Sequence, residues 1–295
     1  MQSKPDEVLM EAEKLWLAGD AEKARDAFAR AQQLYREAND RGGEGQALML
    51  LGDLELRQGD MDKAQDCYVK ARCCFAPEGD QHDQGAILAR LGELAHRRGD
   101  TGEARNCYES ARDLLHAAGD NSGEAHCLKR LGHIERDEGH HDTARDLYRQ
   151  ARNLYQRAGD GLGEAHTLRA LAGVLRTLGQ PDRARLALEQ SLDLLRGQGD
   201  ILGEAGVLTA LAQLLRSMSQ RDEARIRFEE AKEMHVRAGN LRGEAEILLE
   251  LARLEAAEAP DTARQHYERA AELHARMGAQ DMRQKLLKEL ADKLG

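Results

Sequence analysis

A forty-residue period constrains this chain more than any other feature. Gly79-Asp80-Gln81-His82-Asp83-Gln84-Gly85 returns as Gly119-Asp120-Asn121-Ser122-Gly123-Glu124-Ala125. Further copies start at Gly159, Gly199 and Gly239, and an earlier one at Asn39. Self-similarity at a fixed period of roughly 20–50 residues marks a solenoid. Such a chain buries its core between neighbouring copies, so it escapes the ~250–300 residues at which single cores stop growing.

Within each period the apolar residues recur at helical spacing. Val8, Leu9, Ala12, Leu15 and Trp16 form one stripe, and Ala24, Phe28, Ala31, Leu34 and Tyr35 form the next. Between stripes stand Gly-Asp pairs, where Gly suits the residue just past a helix and Asp suits the N-cap of the following one. Half-repeat breaks fall at Gly19, Gly59, Gly99, Gly139, Gly179 and Ser219. The chain therefore reads as helix, tight turn, helix, tight turn. Aromatic residues make up only 3% and proline only 4 residues, while Ala, Leu, Arg and Glu abound, a helix-forming composition. The last repeat slips by one residue at Pro260, and Leu287, Leu290 and Ala291 suggest a final single helix closing the stack.

The repeat resembles the tetratricopeptide repeat. In the third copy Leu88, Leu91-Gly92, Ala104, Tyr108 and Ala111 have that family's spacing. Leu-Gly recurs at Leu51-Gly52 and Leu131-Gly132, and becomes Leu-Ala at Leu171, Leu211 and Leu251. The resemblance implies an all-α fold: a right-handed α-solenoid of tandem helix-turn-helix repeats with a C-terminal capping helix. We expect one solenoid over 1–295, with repeats near 1–40, 41–80, 81–120, 121–160, 161–200, 201–240 and 241–279, and a cap at 280–295. The forty-residue length is similar to the longer repeats of Pins-type adaptors and of bacterial regulators.

In this family the first helices of the repeats line the concave face, where ligands lie. Carried over by register, the resemblance places Arg90, His96, Arg97, His126, Lys129, Arg130, His133, Arg136, His166, Arg169, Arg176 and Arg216 on that face. Only Glu93 and Asp137 are acidic there in the middle repeats. A basic groove in a protein of net charge -10 is expected to draw an acidic peptide or helical segment of a partner protein. Trp16, Leu17, Met49, Leu50 and Leu56 form an apolar set at the N-terminal end, which either packs the end of the stack or holds a partner helix.

Other classes find little support. No GxxxxGK[ST], GxSxG or HExxH motif is present, so no enzyme activity and no cofactor are expected. His126 and His133 lie two turns apart on one helix face, and no cysteine or carboxylate set completes a metal site of known spacing. Nucleic acid is an unfavoured partner, since the net charge is acidic and stacking aromatics are missing from the basic wall. Five cysteines without a CxxC pair, no signal peptide after Met1 and no apolar run near the ~18 residues of a membrane span lead us to expect a cytoplasmic protein. The remaining choice is between an interaction scaffold and a peptide-responsive regulator.

Overall fold

The structure, a computed structural model, describes residues 4–75 and 80–294, with side chains up to Ala291. Every regular element among the described residues is a helix. In order these are α1 (Pro5–Leu17), α2 (Ala21–Glu37), α3 (Arg41–Gln58), α4 (Met61–Phe75), α5 (Gln81–Arg97), α6 (Thr101–Ala117) and α7 (Asn121–Asp137). They continue with α8 (His141–Ala158), α9 (Gly161–Thr177), α10 (Pro181–Gln198), α11 (Ile201–Ser217), α12 (Arg221–Arg237), α13 (Leu241–Glu255), α14 (Pro260–Arg276) and α15 (Gln280–Leu294). The chain falls into two compact units, Met1–Glu138 and Gly139–Gly295, each a run of consecutive helices in which a helix packs on the next in sequence.

The joint motif is explained residue by residue where α8 passes into α9. Gly159 takes a left-handed φ of 69°, which a Cβ disfavours, and ends α8. Asp160 caps α9 by accepting from Gly163 N at 2.7 Å. Gly163 has no room for a side chain, because a Cβ would lie 2.4 Å from Cδ1 of Tyr155. Glu164, nearly buried, accepts from Arg152 Nε at 3.1 Å and from Gln156 Nε2 at 2.5 Å. The glutamate thus pins the first turn of α9 to the last turns of α8. Arg36 and Gln32 reach Glu44 in the same way, His116 reaches Glu124, and Arg196 reaches Glu204. Asn39 and Ser219 adopt the left-handed turn without glycine, at φ 56° and 63°. The Gly79 break lies outside the described residues.

The second-helix triads form the core. Ala24, Phe28 and Ala31 are wholly buried, as are Ala64, Tyr68 and Ala71. The Leu-Gly glycine seats the ring: a Cβ on Gly52 would stand 2.5 Å from Tyr68 Cε1. At the C-terminal end α15 packs on α14, but through Leu286 and Leu290, which are buried; Leu287 and Ala291, expected to face inward, are exposed. The register taken over from α13 does not hold in α15. A lone closing helix covers only the neighbour behind it, and residues four apart suffice for that narrow stripe. Arg283, Gln284, Lys285 and Lys288 are exposed on its surface, as a cap requires.

Two glycines of α9 separate packing from propensity. Gly163→Ala should destabilise the chain by about 1–3 kcal/mol through overpacking against Tyr155. Gly173→Ala, where nothing lies within 4 Å of a Cβ, should stabilise it by about 0.5–1 kcal/mol. Urea midpoints of the two variants shifting in the same direction would contradict this packing account.

Candidate functional site

In the first unit, α3, α5 and α7 line a groove of about 570 Å³. It brings together Arg90, Glu93, Arg97, His126 and Arg130 from the residues expected on this face, and adds Asp53, His82 and Asp120. Arg90 donates from Nε to both carboxylate oxygens of Asp53 at 2.9 Å and from Nη1 to the Ala86 carbonyl. Arg97 donates to Glu93 at 2.8 Å, and Arg130 forms an ion pair with the same carboxylate. Tyrosines hold these acids from the core side: Tyr68 Oη donates to Asp53 at 2.7 Å and Tyr108 Oη to Glu93 at 3.2 Å. Burial and the neighbouring Asp53 raise the Tyr68 phenol above its ordinary pKa, so it stays a donor. His82 Nε2 stands 3.3 Å from Asp120.

The expected basic wall is, in this groove, a matched one. Three guanidiniums, Arg90, Arg97 and Arg130, face three carboxylates, Asp53, Glu93 and Asp120. Asp53 belongs to the second repeat, outside the middle copies whose concave residues carry the basic pattern. A signal was present: Asp53 and Glu93 are forty residues apart, as are their partners Arg90 and Arg130.

The remaining residues are dispersed. Lys129, His133 and Arg136 lie half-buried on α7, with Arg136 Nε donating to Asp137 at 2.9 Å. His96 is half-buried, with Nδ1 shielded from solvent and without a hydrogen-bond partner. In the second unit His166 Nε2 lies 4.0 Å from Asp200, and Arg216 pairs with Glu250. Arg169 and Arg176 are exposed on one face of α9 and line a small pocket of about 90 Å³ with Gly173, Leu188, Ala210 and Gln213.

The apolar set at the N-terminal end is largely core. Met49 and Leu56 are 9% exposed, because α3 turns them toward Tyr68 and its neighbours. Leu50 and Trp16 pack against the Phe28 cluster; the Trp16 ring meets Phe28 edge-on at 6.0 Å and carries Arg57 above it at 5.1 Å. Leu17, at 85% exposure, is the member of the set that stands in solvent.

His126 in the groove and His133 further along α7 do not add charge. Burial first, then Lys129 and Arg90, lowers His126 to about 4. Burial first, then Arg136, Arg130 and Lys129, lowers His133 to about 3. Both are neutral near pH 7 when folded, and both would take up protons when unfolded as pH falls below their ordinary value of 6.5. Stability associated with them is therefore full above pH 6.5 and is lost as pH falls toward 4 and then 3. The urea midpoint of the double variant His126→Gln, His133→Gln should fall less steeply across that window than that of the parent. Equal slopes would show that both rings are solvated.

Among the described residues no helix is long and apolar enough to cross a membrane. A comparison of sequences with curated proteins finds no match. Solved structures do match. The apo form of the quorum sensor NprR from B. thuringiensis superposes with a TM-score of 0.66 at 12% identity, covering 99% of this chain and 87% of that one. BtubC (BKLC) from P. vanneervenii gives 0.62 at 18% identity, covering 81% and 94%. The signal transduction ATPase with numerous domains and a tetratricopeptide repeat sensor, from Pyrococcus horikoshii, gives 0.66 at 14% identity; it is matched over 99% of this chain and 50% of its own length. At these identities the likeness concerns the fold alone. In sequence, the tetratricopeptide repeat profile matches residues 12–72, 46–117, 83–157 and 124–197 in overlapping windows. These windows run through more than half of the chain, and the helices, buried triads and Gly-seated rings described above fill them in the same order. The chain belongs to the tetratricopeptide repeat family.

Proposed function

We propose that this chain is a protein-interaction scaffold that grips an extended or helical segment of another protein against its first helices, without catalysis of its own. The observation that carries this reading is the groove between α3, α5 and α7. Its volume lies within the roughly 300–1,000 Å³ of sites that enclose a ligand. Its guanidiniums are already oriented by Asp53 and Glu93, so binding a segment does not require ordering long side chains first. Arg90 spends Nε and Nη1 within the protein, leaving Nη2 for a ligand. Recognition here depends on directed hydrogen bonds rather than on net charge. The acidic character expected of the segment is better matched in the second unit, at Arg169 and Arg176. A cytoplasmic setting suits the five free thiols, of which buried Cys127 is pushed up to about 12 and is thereby protected from reaction.

A second reading, a peptide-responsive regulator, is favoured by one feature. The Arg90–Asp53 and Arg130–Glu93 pairs each join one repeat to the next, and both lie in the groove wall. A ligand that takes over a guanidinium would loosen the stacking of α3, α5 and α7. The structural likeness to a quorum sensor agrees with that role.

Ala89 lines the groove and takes no part in the ion pairs. Ala89→Trp should fill the groove and abolish capture of the partners that the parent retains in quantitative affinity purification from the native cell, while helical circular dichroism stays intact. An unchanged set of partners would overturn the groove assignment. For a captured partner, hydrogen exchange at α3, α5 and α7 separates the two readings: uniform protection supports the scaffold, and faster exchange at the repeat junctions supports the regulator.

A further inference from the structure

The groove-facing slot that holds Asp53 in the second repeat and Glu93 in the third is held by Gly173 in the fifth. Around that slot the second unit keeps the cations and drops the acid. Arg169 lies one turn before Gly173 on α9 and Arg176 three residues after it, so all three share one helix face. Both arginines are exposed, and neither makes an ion pair or hydrogen bond with a carboxylate among the described residues. Arg90, Arg97, Arg130, Arg136 and Arg216, by contrast, all have one. Nothing lies within 4 Å of a Cβ at Gly173, so the slot is open. Its surroundings are largely apolar: Ala172, Leu188, Ala210 and Leu214 line the adjoining pocket of about 90 Å³, together with the amide of Gln213. The Arg169 guanidinium reaches toward α11, where Nη1 lies 3.1 Å from the place of a Cβ on Gly206.

We infer that this slot is a seat for an acidic side chain of a partner protein segment, which supplies from outside the carboxylate that Asp53 and Glu93 supply from within. The inference rests on the scaffold reading but uses a different site in the other unit. A glutamate or aspartate of the segment lies over Gly173, accepts hydrogen bonds from Arg169 and Arg176, and sets an adjacent apolar side chain on Leu188 and Leu214. Two guanidiniums in a partly apolar setting favour a carboxylate over an amide of the same shape.

The test fills the slot from within. Gly173→Glu places a carboxylate on α9 four residues after Arg169 and three before Arg176, and Gly173→Ala is the control for helix propensity. The probe is an arrayed set of short labelled peptides, each with one central Glu among apolar residues, alongside the same peptides with Gln. On the parent, the best Glu peptide should bind about tenfold tighter than its Gln counterpart at low salt. That preference should survive in Gly173→Ala and in Ala89→Trp, and vanish in Gly173→Glu and in the double variant Arg169→Ala, Arg176→Ala. Equal binding of Glu and Gln peptides to the parent, or no binding of any Glu peptide, overturns the seat. So does a Gly173→Glu variant that binds like Gly173→Ala. Sulfate that competes as well as the peptide at equal concentration also overturns it, by showing a general anion site. Because Ala89→Trp leaves this preference unaffected, failure of the first-unit groove and failure of this seat give different patterns.

Discussion

At Gly163 a Cβ would lie 2.4 Å from the ring of Tyr155, and the same collision would occur at Gly43 against Tyr35 and at Gly243 against His235. In each case the obstructing side chain comes eight residues earlier, from the last turns of the preceding helix. The approach is possible only because the third residue after each cap lacks a side chain. With the backbones this close, a glutamate in the next position reaches back to the residues it pins. Glu44, Glu124, Glu164 and Glu204 all do so. Remove the approach and the cap, the pin and the buried alanine that follows all lose their geometry together. Packing at interior density leaves little slack for a methyl group, which is why this joint varies so little from copy to copy.

A rigid joint confines variation to the faces of the helices. On the outer faces the variable residues are solvated. On the faces that line the groove they meet the next repeat, and there a charge in one copy must be answered in its neighbour. Arg90 answers Asp53, and Arg130 answers Glu93. These carboxylates are only 22% and 17% exposed, so an unanswered one would carry a sizeable desolvation cost. The pairs are therefore part of the stacking as well as part of the groove.

Much of the fold was legible because its code is local. A left-handed turn, a cap three residues from the amide it accepts from, and an Ala–aromatic–Ala triad are each visible within a few residues. The cap helix was only half legible: Leu290 was identified, but Leu286 was missed in favour of Leu287, because the register was borrowed from helices that have a neighbour on both sides. The site was legible in its cations and in Glu93, but not in Asp53 or Asp120. Arg90, Arg97, His126 and Arg130 share the groove as expected, whereas the pairing of Arg90 with Asp53, 37 residues earlier, depends on how two repeats stack. Met49 and Leu56 share the α3 face of Asp53, and Met49 lines the groove, but both also pack into the cluster around Tyr68 and are therefore only 9% exposed.

In the second and third repeats the slot acids meet hydroxyls of the core. A buried tyrosine hydroxyl needs a partner: Tyr68 and Tyr108 find theirs in the slot acids Asp53 and Glu93, whereas Tyr35 and Tyr267 use Asp6 and Glu289, which lie outside the slots. In the fifth and sixth repeats the equivalent core residues are Leu188 and Phe228, which carry no hydroxyl, and the slots above them hold Gly173 and Gln213. Once the ring loses its oxygen, nothing in the core requires an acid in the slot. The second unit instead draws its cohesion from an aliphatic cluster that includes Leu168, Leu171, Leu175, Leu211 and Leu215. In the fifth repeat a leucine stands where the second and third have tyrosine, and the slot that shares a pocket with it carries no acid. Stability and recognition separate at that point: the arginines remain, the acid they would otherwise serve is gone, and the slot becomes available to a group that does not belong to the chain.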